Sequence, residues 1–268
     1  MKCIRVSAIV FLSVLSLACL FADFLAPAPY AQQFRDEPNA SASRQHLLGT
    51  DDLGRDRFSR LLYGTRVSLL LAPAAALIAS VLAALVGGIA GFAGGRLQSS
   101  VMAATDLFLS LPWLFLLITV RALLPLNTTP VTSVIITFAL LGCLGWAAAA
   151  RVICSSVRSL CSSDMILLAR ASGSGGFRLL CRHILPNVKP VLAAQFWISV
   201  PVFILTEANL GILGLGVAEP MPSWGSLLRE LESFSALSSQ PWQFAPIVLL
   251  VVTVSCFHLA LRKQELWA

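Results

Sequence analysis

The sequence predicts an all-α polytopic membrane protein with six transmembrane helices, on the strength of its composition, the length of its apolar runs and the placement of its charges. Of its 268 residues, 57% are hydrophobic and only 12% charged, more apolar side chain than a soluble core of this size has room for. Windows near 5 to 25, 67 to 91, 101 to 121, 131 to 150, 190 to 210 and 244 to 262 are long or apolar enough to cross about 30 Å of hydrocarbon as helices of about 20 residues. Placing both termini on the cytoplasmic side puts Lys2, Arg5, Arg96, Arg151, Arg158, Arg170, Arg178, Arg182, Lys189, Arg262 and Lys263 inside, against the acids Asp164 and Glu265. The positive-inside rule is then obeyed. The outer segments are nearly balanced: Arg35, Arg44, Arg55, Arg57 and Arg60 face Asp36, Glu37, Asp51, Asp52 and Asp56, and Arg229 faces Glu219, Glu230 and Glu232.

The net charge of +6 does not indicate nucleic acid, because the basic residues are scattered and lack an aromatic or glycine-rich single-strand platform. The seven cysteines, Cys3, Cys19, Cys143, Cys154, Cys161, Cys181 and Cys256, include no C-x-x-C pair, so they read as small apolar filler and not as a zinc or redox site.

Residues 1–25 have a short basic start and then an apolar run longer than a signal-peptide core, which reads as an uncleaved first span. A lipoprotein signal ending at Cys19 is the rival, but Leu17 stands one place too near the cysteine. Residues 26–66 form a polar, interfacial segment. Pro27, Pro29 and Pro38 oppose helix; Gly49 and Gly54 permit tight turns, Thr50 and Asp51 can cap backbone amides, and Arg55, Asp56 and Arg60 can pair within a helical turn or two. Such pairs, if exposed, contribute only about a few tenths of a kcal/mol each. The bland reading of this segment is a solvated cap.

The core, 67–268, holds the remaining five spans. Span two contains Pro73 and ends in small residues, Gly87, Gly88 and Gly91, which let helices approach closely. In span three, Asp106 is expected to escape to the surface or meet another helix, and Pro112 to kink the run. Arg121 is expected to snorkel. Span five carries Pro201 and Glu207; beyond it Gly211, Gly214 and Gly216 break the helix, and Pro220 and Pro222 fix an outer turn with Trp224 at the interface. Residues 207–243 thus read as a folded outer lid.

The longest polar break in the second half lies within 151–190. Met165 to Ala171 is a first short helix, Gly173, Gly175 and Gly176 make a turn, and Phe177, Leu180 and Ile184 line one side of a second helix that Pro186 and Pro190 stop. Its other side is basic. On the residues alone this hairpin is either shaped for a soluble partner or a connecting loop whose arginines set topology.

No P-loop is present, since Gly91 to Gly95 and Gly211 to Gly216 lack a G-K-S/T ending. An intramembrane enzyme would have to use Ser174 with His183 or His258, and Ser174 lacks a G-x-S-x-G frame. A membrane scaffold explains the spans and leaves the motifs without a reason.

Three stretches carry a resemblance. Ala169, Gly173 and Ile184-Leu185-Pro186 are similar to the coupling loop of bacterial ABC importer permeases, although Leu167 and Leu168 stand where that family has Glu and its first Ala. His46 to Leu69 resembles the stretch before the second span in C-type permeases of dipeptide, oligopeptide and nickel importers. Leu48, Gly49, Thr50, Asp51, Gly54, Arg55, Asp56, Ser59, Arg60, Gly64, Arg66, Ser68 and Leu69 match. Glu207 to Gly225 resembles the same family's outer loop, through Glu207, Gly214, Gly216, Pro222, Trp224 and Gly225 among others. The departures are a serine-rich run, Val152 to Ser163, and a tail with Leu261, Arg262 and Lys263.

The resemblance implies an ABC importer permease fold with a cytoplasmic coupling-helix hairpin, whose coupling residues are Asp164, Ala169, Arg170, Gly173, Arg178, Ile184, Leu185 and Pro186. It implies a second homologous permease, two ABC ATPase subunits that bind the ATP and Mg, and a periplasmic or lipid-anchored substrate-binding protein. This chain would hold no cofactor, sit as a multi-pass protein in the bacterial inner membrane, and carry di- or oligopeptides. Nickel or another small solute is the alternative cargo, and a non-transporting scaffold or degenerate paralogue the alternative class.

Overall fold

The structure is a computed structural model that describes residues 2–124, 129–232 and 241–261. The expected tail of Leu261, Arg262 and Lys263 falls outside it except for Leu261, as does the part of the lid at 233–240. The described chain is helical: α1 (Lys2–Leu20), α2 (Arg57–Ala93), α3 (Gly95–Ser110), α4 (Trp113–Leu123), α5 (Pro130–Leu144), α6 (Ala147–Cys161), α7 (Asp164–Ala171), α8 (Gly176–Ile212), α9 (Trp224–Arg229) and α10 (Ala245–Leu261). Among the described residues, five helical stretches are long and apolar enough to cross a membrane, or six if a bent pair counts as one span. That pair is α3 and α4, which turn through 82° where the sequence reading places the Pro112 kink.

Two boundaries differ from the sequence reading. Helix α2 runs for 37 residues and begins at Arg57, ahead of the expected span, because Asp56 caps it: its Oδ2 accepts from the Ser59 amide and hydroxyl, both at 2.7 Å. Pro186 and Pro190 do not stop a helix either, since α8 runs through both. A π-helical turn over Leu180–Ile184 precedes them, and its wider winding makes room for the Pro186 ring, which would crowd the Arg182 carbonyl in a regular helix.

The chain forms two compact units. One gathers the described residues of 1–72, 118–138 and 201–267, the other those of 73–117 and 139–200. In the first, α1 lies along α10 with Ala8 and Cys19 turned inward, while Val6, Val10, Val14 and Leu17 stay exposed, as a lipid-facing surface requires. Arg121 is fully buried here and donates to Ser133 Oγ at 3.2 Å, so it does not snorkel. Ser133 Oγ also accepts from the Ala218 amide. The long side chain is held by partners that the apolar sequence around it does not reveal.

In the second unit, α2 and α6 meet at small residues. A Cβ at Gly87 would overlap the Ala150 carbonyl oxygen, and one at Gly91 would lie 2.6 Å from the Cys154 carbonyl. Around this contact sit Ala83, Ile153, Val157, Ile166, Leu179, Ile184 and Val188. Asp106 meets Arg151 at 3.0 Å, beside a stack of Phe108 on Trp146.

Candidate functional site

Two groups of residues stand out, one in each unit. In the first unit the stretch 46–69 folds as a tight turn leading into α2. Gly54 has φ of +72°, and a Cβ there would overlap the Phe34 carbonyl oxygen, so only glycine fits. Asp51 organises the turn: its Oδ1 accepts from the Leu53 and Arg55 amides at 3.0 and 2.7 Å, and its Oδ2 from Arg55 Nε at 2.6 Å. Thr50 Oγ1 accepts from the Ala40 amide at 2.8 Å, tying the turn to the preceding loop. Asp56, besides capping α2, meets His46 Nδ1 at 2.8 Å.

The arginines of this turn reach the other resembled stretch. Arg55 donates to Glu219 at 2.6 Å, and Arg60, with 0% of its surface exposed, donates to Glu219 at 3.1 Å and to Glu230 at 2.5 Å. The sequence reading of Arg55, Asp56 and Arg60 as exposed local pairs is therefore corrected. Of these arginines, Arg55 has a close local partner in Asp51, and the group is buried, so removing one member costs more than breaking a surface bridge because it leaves a buried charge uncompensated. Burial pushes Glu230 towards its neutral form and the nearby Asp51 adds to this, while Arg60 opposes them; the carboxyl ends above its usual range. Burial also works against the Glu219 carboxylate, but the charges and hydrogen bonds of Arg60 and Arg55 prevail, and it lies below its usual range.

Lower on α2 the same two stretches are joined again. Trp224 is fully buried and its indole donates to Thr65 Oγ1 at 2.9 Å, so it is not an interfacial anchor. Ser68 Oγ donates to Glu207 Oε2 at 3.0 Å and accepts from the Trp224 amide at 3.2 Å. Gly225 lies directly against α8, where a Cβ would come within 2.7 Å of Gly211 Cα and 2.8 Å of the Glu207 carbonyl oxygen. Gly216 packs on Gly211 likewise, and Gly214 adopts φ of +75° beside the Arg229 guanidinium. Pro222 is buried just before Ser223, which caps α9 in a reciprocal pair with Ser226. Glu219, Glu230, His46 and Thr65 are the members that motif reading passed over; Ser68 was among the matched positions. The near balance of charge between these segments was their one signal.

In the second unit, α7, a turn and the start of α8 form the hairpin. Asp164 opens α7, where an acid suits the helix N-terminus, and Arg170 lies in its last turn. Gly173 closes it at φ of +79°: its amide bonds the Arg170 carbonyl at 2.9 Å and that of Ser174 the Ala169 carbonyl at 3.1 Å, the Schellman arrangement that calls for glycine. Ile166, Leu179 and Ile184 are buried and fix the hairpin to its unit, with Ala169 packed partly against them. Phe177, expected on the inward side, is 80% exposed, because the turn at 173–176 sets Leu179 inward in its place. Arg170, Arg178, Leu185 and Pro186 are exposed.

Residues 62–263 match the family described as "Binding-protein-dependent transport system inner membrane component". The chain belongs to this family. It is similar to the nickel transport system permease protein NikC of Escherichia coli (strain K12), 35% identical over 94% of this chain and 88% of that one. It is similar also to two permeases of Bacillus subtilis (strain 168). The dipeptide transport system permease protein DppC is 32% identical over 88% of this chain and 72% of that one. The oligopeptide transport system permease protein OppC is 31% identical over 93% and 80%. Among solved structures, the MetNI methionine ABC transporter in inward-facing conformations shares the fold, with a TM-score of 0.57 over 77% of this chain and 94% of that chain at 20% identity. The protein is thus a multi-pass permease subunit of an ABC importer, a family that works with ATPase subunits and a substrate-binding protein.

Proposed function

We propose that this permease carries di- or oligopeptides, or a similar small solute, across the bacterial cytoplasmic membrane by alternating access. It pairs with a second, similar permease above two ATPase subunits, which bind and hydrolyse ATP with Mg, and it receives cargo from a binding protein on the outer side. The chain itself hydrolyses nothing. Both termini and the hairpin lie in the cytoplasm, and residues 26–66 with the lid at 207–243 lie outside; the excess of arginine and lysine on the inner segments supports this orientation. Closure of the ATPase pair draws the hairpins of both permeases together and opens the path outward; hydrolysis resets it. Asp164, Ala169, Arg170, Gly173, Arg178, Ile184, Leu185 and Pro186 transmit that movement. The two outer stretches form the lid over the path, held shut and open as a unit by Arg55 and Arg60.

The observation that carries this reading is the hairpin, rooted by Ile166, Leu179 and Ile184 and otherwise presented outward. An element built so can transmit force without bending. Nickel is the second cargo reading, favoured by the 35% identity to the nickel permease.

The test is ATPase activity of the full complex in lipid vesicles, with the binding protein loaded with peptide or with Ni²⁺. Stimulation by one of the two names the cargo. Gly173→Pro forces φ negative and deletes the amide that bonds Arg170, so it should leave insertion intact and abolish stimulated uptake. Undiminished uptake in that variant would sink the coupling role.

A further inference from the structure

We propose that the hairpin is shaped for an ATPase subunit whose receiving cleft has an apolar floor and an acidic rim, and that Leu167, Leu168 and Phe177 decide which ATPase is accepted. This rests on the reading of the hairpin as the ATPase contact. On α7, Met165, Leu167 and Leu168 are 42%, 50% and 69% exposed, and across the turn Phe177 is 80% exposed. These large apolar side chains stand in one of the chain's most polar stretches. Exposed clusters of this kind mark a surface that another molecule covers. The same stretch carries Arg170, Arg178, Arg182 and Lys189, all exposed, against the single acid Asp164. An apolar crown with a cationic fringe is complementary to a cleft with apolar floor and carboxylate rim.

The bilayer is the other surface with such chemistry, and distance argues against it. The apolar run of the fourth span ends at Ala150, and α6 continues to Cys161, so about 15 Å of helix separates Arg151 from the start of the hairpin. Length along α6 thus sets α7 off from the apolar run. The hairpin's rigidity points the same way, since Ile166, Leu179 and Ile184 are at most 2% exposed and fix which faces turn outward.

The selectivity follows from the two leucines. A cleft that offers a cation to a glutamate would leave that cation buried against Leu167, while a cleft with a carboxylate rim would repel a glutamate placed there. One cleft cannot serve both surfaces well.

The experiment uses the complete complex. The permease pair is affinity-tagged in detergent, and binding of its own ATPase is titrated for the natural chain, for Leu167→Glu with Leu168→Ala, for Phe177→Ser, and for Arg178→Glu with Arg182→Glu. Each variant should weaken ATPase binding by about tenfold or more, with the second permease still bound and thermal stability unchanged. The arginine variant should also lose most of the salt dependence of binding. Equal ATPase affinity in the leucine variant and the natural chain overturns the proposal and leaves the importer reading standing. A natural complex that binds no ATPase overturns both. Quenching of a Phe177→Trp variant by brominated lipid, with the ATPase absent, would show the crown in the membrane and also overturn it.

Discussion

Arg60 is bound to carboxylates 159 and 170 positions away, Glu219 and Glu230, and has Asp51 at 3.6 Å as a third neighbour. Removing it takes from the buried Glu230 its closest cation and leaves Arg55 at 4.0 Å, whereas Glu219 keeps Arg55 at 2.6 Å and half its side chain in solvent. Arg60→Met should therefore cost about 3 kcal/mol of stability in detergent, mostly through Glu230, and adding Glu230→Leu should restore part of it; a cost under 1 kcal/mol would mean the cluster is solvated. The two glutamates titrate in opposite senses. Glu230, its folded pKa raised, takes up a proton more readily folded than unfolded, so stability rises as pH falls from neutral through that raised value. Glu219, its folded pKa lowered, contributes stability that is complete above the ordinary carboxylate value and lost as pH falls through the depressed one. Thermal unfolding should therefore show an optimum on the acid side of neutral; Glu230→Gln should flatten its upper limb and Glu219→Gln its lower limb. The spacing of Arg55, Asp56 and Arg60 could suggest only near neighbours, because a periodic pattern reports contacts within a helix and is silent about partners that the fold brings in. That Asp51, Gly54 and Arg60 belong to one motif was legible; what they bind was not.

At the scale of elements, small residues do different jobs within a single turn. Gly87 faces the backbone of α6, where a Cβ would overlap the Ala150 carbonyl oxygen, while Gly88 has nothing within 4 Å of a built Cβ. Gly87→Ala must part α2 from α6 and should destabilise by about 1–3 kcal/mol, as overpacking does. Gly88→Ala meets no obstacle and removes a helical glycine, so it should stabilise by about 0.5–1 kcal/mol. Chemical denaturation in mixed micelles would separate them; equal effects of the same sign would contradict the packing. The sequence marked Gly87, Gly88 and Gly91 together as an approach surface and had no means to choose among them, since that depends on how α2 is rotated. The helices themselves were readable from apolar run length. Their ends were not: Asp56 as a cap moves α2 forward to Arg57, and the π-helical turn at Leu180–Ile184 lets α8 pass Pro186 and Pro190.

On the scale of the whole molecule, both long helices change from one compact unit to the other at a proline: α2 between Ala72 and Pro73, α8 between Val200 and Pro201. Each proline lacks the amide that would bond the carbonyl four residues earlier, Leu69 in α2 and Trp197 in α8, and its ring presses on that carbonyl. A helix is easiest to bend where a rung is missing, so of the four crossings between the units, in α2, α4, α5 and α8, these two should bend most readily. Composition and charge placement made the membrane class legible, and three motif stretches the family resemblance; this division was not, because Pro73 and Pro201 each read as an isolated oddity within an apolar run. Replacing both by alanine supplies the missing amides and should raise thermal stability by about 1 kcal/mol or more per site if the helices straighten without strain. In the reconstituted complex the double variant should bind ATPase and binding protein as before, yet show stimulated turnover reduced several-fold, since the step that bends α2 and α8 becomes costlier. A stabilised variant with undiminished turnover would place the flexing elsewhere, and the 82° bend between α3 and α4 would be the next position to stiffen.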